Sequence, residues 1–214
     1  MIEYVKPNEI EQRSFEIIRR ELSHPIDPFL EPIIMRVIHT TADFEYADSL
    51  VISQGAAENA IKALQEGVCI VSDTNMVKAG VDKTRLAGFG GDIYCFMDDK
   101  TVAETAKENG TTRAYASMDK AVSISVETGK PFIFAIGNAP TALMRLCELM
   151  AEGKCRPVLI IGVPVGFVNV TEAKEMLINS GVPHIVARGR KGGSNVAAAI
   201  CNALLRMAEE NKYE

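Results

Sequence analysis

His39 is the residue of this chain best placed for acid–base chemistry. An imidazole can exchange a proton near neutral pH, and His39 ends an apolar helical pattern in which Arg36 shares its face. Arg36 and burial would favour the neutral ring, whereas the helix C-terminus would favour the charged ring, and the sequence leaves this balance open. A packed core histidine remains an alternative. The other two histidines are weaker candidates, because His24 stands in a polar loop and His184 begins an apolar run.

Positive charge is concentrated in a glycine-rich segment near the end of the chain, residues 188–194. A glycine-rich turn ahead of a helix presents backbone N–H groups to an anion, and arginine side chains bind carboxylates well. The sequence therefore predicts a site for an acidic ligand, although a tight turn with solvated basic side chains fits the pattern equally well. The candidate binding residues in this segment are Arg188, Arg190, Lys191, Gly192 and Ser194.

Four further polar residues are candidate ligand contacts. Arg113 begins a predicted helix, where the helix dipole disfavours a cation, so its partner is either an acidic ligand or the carboxylate of a salt bridge. Asn138 and Thr141 join a strand end to a helix start. They either donate hydrogen bonds to a ligand or cap the helix, and capping is the simpler interpretation. Ser14 lies in the middle of the apolar stripe of the first predicted helix.

Short apolar runs alternate along the chain with helical patterns. Runs rich in valine and isoleucine are typical of strands buried on both faces of a parallel sheet. The runs are Leu50–Ser53, Val68–Ser72, Ile93–Met97, Phe132–Gly137, Val158–Gly162 and His184–Ala187. We therefore expect a single domain over residues 1–214 with an α/β fold. Two N-terminal helices should precede a three-layer α/β/α arrangement whose mostly parallel sheet has about five strands.

Several helix starts are marked by local residue patterns. Asn8 with Glu11, and Asn169 with Glu172, have the spacing of capping boxes. Pro140 suits the first position of a helix. In a parallel sheet covered by helices, ligands bind outside the carboxyl ends of the strands. The segments that follow the strands are therefore expected to carry the site.

The composition argues against several classes of protein. A formal net charge of −5 argues against nucleic acid as a partner. The chain has no run of roughly 18 consecutive apolar residues that would predict a membrane span, and its polar N-terminus does not resemble a signal peptide. Five cysteines occur without a CxxC pair, so we expect a reducing cytoplasm, no disulfides and no metal site. The lack of GxGxxG after the first strand counts against a nucleotide-binding oxidoreductase.

Six segments together resemble the precorrin-8X methylmutase (cobalt-precorrin-8 methylmutase) family, in the family's order and over nearly the whole chain. They are Glu11-Gln-Arg-Ser-Phe-Glu-Ile-Ile18, Arg36-Val-Ile-His39, Asp73-Thr-Asn-Met-Val77, Ile136-Gly-Asn-Ala-Pro-Thr-Ala-Leu143, Gly162-Val-Pro-Val-Gly-Phe167 and Arg188-Gly-Arg-Lys-Gly-Gly-Ser194. The fourth and fifth segments together are far more specific than any single glycine motif.

The resemblance implies an isomerase that moves a methyl group between neighbouring carbons of ring C by a 1,5-sigmatropic shift. Precorrin-8X or cobalt-precorrin-8 would become hydrogenobyrinate or cobyrinate. The resemblance implies no cofactor, and it implies a homodimer whose site forms where two subunits meet. His39 matches the family's catalytic histidine, and Ser14, Arg36 and Arg113 match its substrate-binding residues.

A flat macrocycle fringed with carboxylates needs local positive charge and an apolar slot. The arginines and Lys191 would supply the charge, and Met35 and Ile38 would line the slot. A corrinoid carrier without catalysis would fit the fold and the basic segment equally well, but a carrier has no need of an acid such as His39. The sequence leaves open whether the substrate carries cobalt, because no residue is an evident cobalt ligand.

Overall fold

The computed structural model describes Tyr4 and residues 6–210 except the side chain of Asn8, so the capping role predicted for Asn8 lies outside the described residues. Within this part of the chain, a short 3-10 helix at Pro7–Glu9 precedes eleven α-helices. They are α1 (Ile10–Glu21), α2 (Glu31–Thr41), α3 (Tyr46–Ser49), α4 (Ala56–Gln65), α5 (Asn75–Gly80), α6 (Lys83–Gly88), α7 (Lys100–Glu108), α8 (Arg113–Thr128), α9 (Pro140–Ala151), α10 (Val170–Ile178) and α11 (Ser194–Glu210). None of these helices is long and apolar enough to cross a bilayer.

Six strands form one sheet, with β1 (Leu50–Ile52), β2 (Cys69–Ser72), β3 (Ile93–Cys95), β4 (Phe132–Ile136), β5 (Leu159–Gly162) and β6 (His184–Ala187). Their order across the sheet is β1-β6-β5-β4-β2-β3. Strand β1 runs antiparallel to β6, and every other pair is parallel. The predicted α/β class is therefore confirmed. The sheet has six strands instead of about five, because the first apolar run adds an antiparallel edge strand.

Successive residues of β4 pack into opposite cores, because side chains alternate across a strand. Ile133 and Ala135 face the core formed with α2, α4 and α11. Phe134 and Ile136 face the core formed with α8, α9 and α10. Helices thus cover both faces of the sheet, which gives the predicted three layers.

Helix α2 carries the candidate acid, and most of its apolar side chains are buried in the core. It packs against α1 and α11. Met35 and Ile38 are each only 1% exposed. The expectation that these two residues line an open slot is wrong in the single chain, because the neighbouring helices cover them. The helix ends at Thr41, where Ala42 takes a left-handed conformation (φ 54°).

The two remaining predictions about helix starts have different outcomes. Pro140 is the first residue of α9, as predicted. The prediction of a capping box at Asn169 and Glu172 is wrong. Asn169 has a left-handed backbone (φ 58°), and its side chain accepts no capping hydrogen bond. The Glu172 carboxylate accepts a hydrogen bond from the Thr171 hydroxyl instead.

Candidate functional site

The loops that follow the parallel strands meet at the carboxyl edge of the sheet. The Thr74 hydroxyl, after β2, lies 2.9 Å from the Ser194 hydroxyl at the start of α11. The Gly193 N–H donates to the Val163 carbonyl after β5 at 2.8 Å, and the Gly166 N–H donates to the Arg190 carbonyl at 3.2 Å. The glycine-rich turn, residues 188–193, is thereby joined to the loop that follows β5.

His39 lies at the exposed end of α2, with one side of its ring against an aromatic residue of α1. The Phe15 and His39 rings meet edge to face with centroids 5.4 Å apart. His39 is classed as exposed, so the alternative of a packed core histidine is wrong. Ser14, the residue before Phe15, is half-buried, and its hydroxyl donates to the Ile10 carbonyl at 2.8 Å.

Arg36 is held by a carboxylate of the protein itself. Its guanidinium donates two hydrogen bonds of 3.0 Å to the two carboxylate oxygens of Glu11 and lies 4.9 Å from the centre of the Phe15 ring. Arg206 of α11 also donates to Glu11, at 2.7 Å. The hydrogen bonds from Arg36 lower the pKa of Glu11 to about 2, with Arg206 adding to the effect and burial opposing it. The positive charge of Arg36 is therefore already balanced by the Glu11 carboxylate before any ligand binds.

Lys191 connects the glycine-rich turn to the segment that follows α2. Its ammonium donates to Asp43 at 2.6 Å and to Glu45 at 2.5 Å. The hydrogen bond from Lys191 lowers the pKa of Asp43, although burial opposes it. Asp43 follows His39 by four residues, so this pair brings the end of the His39 helix beside the basic turn.

The other two basic side chains of the turn differ in their partners. Arg188 donates to both carboxylate oxygens of Glu175, at 2.8 and 3.3 Å. Arg190 instead lies over the exposed Phe167 ring, 5.5 Å from its centre. Among residues 6–210, no carboxylate lies within ion-pair distance of Arg190. Of the three basic side chains predicted to bind an acidic ligand, Arg190 is the one that forms no ion pair among these residues, although its charge adds to the hydrogen bonds that lower the pKa of Glu172.

A buried lysine that the sequence analysis did not single out lies beneath the same turn. Lys174 of α10 has no exposed surface. Its ammonium donates to the carbonyls of Gly189 and Lys191, each at 2.7 Å. Burial lowers the pKa of Lys174 to about 8. No sequence signal pointed to it, because a lysine within a helical pattern is normally a solvated residue.

A buried carboxylate shapes the loop after β4. Asp73, which is 1% exposed, accepts hydrogen bonds from the N–H groups of Gly137, Asn138 and Ala139 at 2.8, 2.9 and 2.7 Å. Burial raises the pKa of Asp73, and the three N–H groups oppose that shift. In the sequence, Asp73 stands out only as the first residue of one of the six segments that resemble the family. Its place directly after a buried strand is the signal that could have identified it.

The capping roles considered for Asn138 and Thr141 are wrong. The N-cap of α9 is Ala139, and α9 has no side-chain cap. Asn138 is exposed, and its contact with Asp73 is made by its backbone N–H group. The Thr141 hydroxyl instead lies 2.8 Å from the hydroxyl of Thr112, the residue that caps α8.

Arg113 is exposed at the first position of α8, next to Thr112. No carboxylate in the described part of the chain lies within ion-pair distance of it, so the salt-bridge alternative does not hold within one chain. Nor does any hydrogen bond, ion pair or ring contact among the described residues join Arg113 to His39. Arg113 and His39 therefore make no direct contact within one chain.

Comparisons with a family model, with related sequences and with solved structures all point to the same family. Residues 9–207 match the family model of precorrin-8X methylmutase. A cobalt-precorrin-8 methylmutase of Priestia megaterium is 46% identical over 206 residues, which cover 96% of this chain and 90% of that protein. A precorrin-8X methylmutase of Pseudomonas aeruginosa is 38% identical over 208 residues, covering 95% and 98%. The crystal structure of a precorrin-8X methylmutase from Thermus thermophilus superposes with a TM-score of 0.85 at 42% identity, covering 95% and 97%.

Proposed function

Because this chain belongs to the precorrin-8X methylmutase family, we propose that His39 is the general acid of its methyl-shift reaction. The chain is an isomerase of cobalamin biosynthesis, and it moves a methyl group on ring C of a corrinoid by a 1,5-sigmatropic shift. Precorrin-8X or cobalt-precorrin-8 is converted to hydrogenobyrinate or cobyrinate. Substrate and product have the same atoms, so a proton that the enzyme donates during the reaction must return to it.

The exposure of His39 is the observation that supports this role most directly. Its ring rests on Phe15, and among residues 6–210 no hydrogen bond or ion pair occupies its nitrogens. A substrate placed over the end of α2 would meet a fixed imidazole with a free N–H group. A general acid must come within hydrogen-bond reach of the atom that it protonates.

The chemistry follows from where that proton goes. The His39 imidazolium donates it to the conjugated ring system, which makes the neighbouring carbon of ring C electron-poor. The methyl group migrates with its bonding electron pair to the neighbouring carbon, and the proton then returns to His39. General acid catalysis contributes about 10²–10⁴-fold, and holding the macrocycle in one conformation favours this shift over competing reactions.

Binding of the substrate's carboxylates is assigned to the polar residues at the edge of the sheet and on α1 and α2. Arg190 and Arg113 are exposed and form no ion pair with a carboxylate of the described residues, which favours them as the main anchors. Arg36 and Lys191 bind the protein's own carboxylates, Glu11 and Asp43, and chiefly hold α2 and the segment that follows it in position around His39. The further proposed contacts are Ser14, Asn138, Thr141, Arg188, Gly192 and Ser194.

The substitution His39→Ala tests the acid. Turnover should fall by about 10²–10⁴-fold, while the affinity for hydrogenobyrinate, measured by absorbance titration, should stay nearly unchanged. His24→Ala is the matched control, because His24 is also exposed and lies outside the proposed site. Wild-type turnover in His39→Ala would contradict the assignment and favour another acid, whereas wild-type protein that binds the product without turnover would favour a corrinoid carrier.

The cobalt content of the natural substrate is open to a direct measurement. Relatives of this chain carry both names, with and without cobalt. Offering purified enzyme each substrate and following the absorption spectrum would give two specificity constants. A macrocycle bound through its rim carboxylates should be accepted in both forms.

The assembly and location belong to the same proposal. We place the enzyme in the cytoplasm. All five cysteines, each within the described residues, carry free thiols, which fits a reducing compartment.

We also propose a homodimer with the site between subunits. Phe167 and Val168 are 83% and 76% exposed beside Arg190, and a solvent-exposed apolar patch of this kind favours contact with a ligand or a partner.

A further inference from the structure

The ammonium group of Lys174 is a buried charge that pairs with no carboxylate of the described residues. Both of its hydrogen-bond acceptors are carbonyl oxygens, those of Gly189 and Lys191, at 2.7 Å each. In the part of the chain that the structure describes, no carboxylate bonds to it. Burial of a charge costs several kcal/mol unless hydrogen bonds and an opposite charge compensate. Here the hydrogen bonds are present and the opposite charge is missing.

Each carbonyl of three consecutive residues of the turn accepts a hydrogen bond from another part of the protein. Lys174 donates to the carbonyls of Gly189 and Lys191, and the Gly166 N–H donates to that of Arg190 at 3.2 Å. A trans peptide bond is planar, so each N–H points opposite to the carbonyl of the residue before it. The N–H groups of Arg190 and Gly192 are therefore directed away from Lys174. Within residues 6–210 neither of these two N–H groups has an acceptor.

Glycines at two positions allow this backbone path. Gly189 has φ of 82° and Gly192 has φ of 156°, and L-residues with side chains rarely adopt such angles. At Gly192 there is also no room, because an added Cβ would lie 2.2 Å from the Val163 carbonyl. The conformation of the turn thus depends on glycine at both positions, Gly189 and Gly192.

We propose that Lys174 is a positioning residue, which holds the carbonyls of Gly189 and Lys191 so that the N–H groups of Arg190 and Gly192 bind a carboxylate of the corrinoid. This inference rests on the proposed function, since the ligand is the substrate's rim. Backbone N–H groups of one turn that face the same side form an anion site, and the buried ammonium on the other side of the turn supplies the unbalanced positive charge. The bound carboxylate is the opposite charge that Lys174 lacks.

The neighbouring side chains strengthen this assignment. Arg188 is held by Glu175, and Lys191 by Asp43 and Glu45. Of the turn's positive charges, those of Lys174 below and Arg190 above are the two that remain available to a carboxylate. The burial that lowers the pKa of Lys174 to about 8 still leaves the ammonium mostly charged at neutral pH.

The substitution Lys174→Met tests the proposal, because methionine fills similar space without donors or charge. The dissociation constant for hydrogenobyrinate and the KM should each rise about tenfold, equivalent to about 1.4 kcal/mol, while kcat changes less than about threefold. Lys174→Arg should recover part of the affinity. Leu177→Ala is the control, because Leu177 is buried on the same helix and the substitution should lower stability without weakening product binding.

A second measurement uses the unmodified enzyme, in case Lys174→Met does not fold. Titrating ¹⁵N-labelled protein with hydrogenobyrinate should shift the amide resonances of Arg190 and Gly192. Product binding without these shifts, or with unchanged affinity in a folded Lys174→Met variant, would overturn the inference and leave the methylmutase function intact. A wild-type enzyme that turns over neither corrinoid would instead overturn the proposed function.

Discussion

At the scale of single residues, the basic side chains of residues 188–191 are not equivalent. Arg188 and Lys191 already bind carboxylates of the protein, whereas Arg190 lies over the Phe167 ring. A charge that is already paired gains less from an added carboxylate, because the existing partner must be displaced. The residue that should matter most for affinity is therefore Arg190.

We predict that Arg190→Ala weakens binding of hydrogenobyrinate by about 1.5–3 kcal/mol, the value of a charge-assisted hydrogen bond. Arg188→Ala, the matched control from the same turn, should change affinity far less. Isothermal titration of both variants provides the comparison, and added salt should reduce the effect because Arg190 is exposed. Equal losses in the two variants would show that the pairing of Arg188 has no influence on binding.

At the scale of elements, Glu11 joins three helices through its two arginine partners. It belongs to α1, Arg36 to α2 and Arg206 to α11. These contacts fix α2 and thereby His39 relative to the C-terminal helix. Because the contacts lower the pKa of Glu11 from 4.5 to about 2, they stabilise the fold fully above about pH 4.5 and lose that contribution as the pH falls toward 2.

We predict that Glu11→Gln lowers the free energy of unfolding at pH 7 by about 1 kcal/mol, a small value because the Glu11 side chain is 43% exposed and solvent screens the pair. The difference from wild type should shrink between pH 4.5 and pH 2, where wild-type Glu11 becomes protonated. Urea unfolding at several pH values gives the measurement. Glu16→Gln, on the exposed side of α1, is the control, and a difference that is independent of pH would argue against the Glu11 ion pairs as the cause.

At the scale of the whole molecule, His39 and Arg113 share no contact among the described residues of one chain. The Phe167 side chain is exposed beside the basic turn. In the proposed dimer, a second subunit would bring its Arg113 to the His39 of its partner, because closed twofold symmetry presents the same surface of each subunit to the other.

We predict that the active enzyme sediments as a dimer of 23.3 kDa chains. We expect Arg113→Ala to lose most of its activity, because Arg113 is a proposed main anchor of the substrate. Mixing equal amounts of His39→Ala and Arg113→Ala, followed by subunit exchange, should then restore about a quarter of wild-type activity, because half of the dimers would be mixed and each would hold one intact site. Each variant alone is the control. A fully active monomer, or a mixture without recovered activity, would place the whole site within one chain.

The sequence by itself determined the elements and their order, because these depend on neighbours along the chain. Apolar runs such as residues 132–137 indicated strands, and the pattern around Arg36 and His39 indicated a helix that ends close to His39. The glycine-rich segment after the last strand was predicted to lie at the carboxyl edge of a parallel sheet, and the sheet order places it there. Local periodicity carries this information without any tertiary contact.

Only the tertiary structure decided which charges are paired and which are available. Glu11 meets Arg206 across 195 residues, and Lys191 meets Asp43 across 148. Lys174 lies on a helix whose pattern gives no reason to bury an ammonium, and it is buried because the turn after β6 supplies two carbonyl acceptors. Pairing energies depend on distance in space, and no local pattern fixes the distance between side chains so far apart in the sequence.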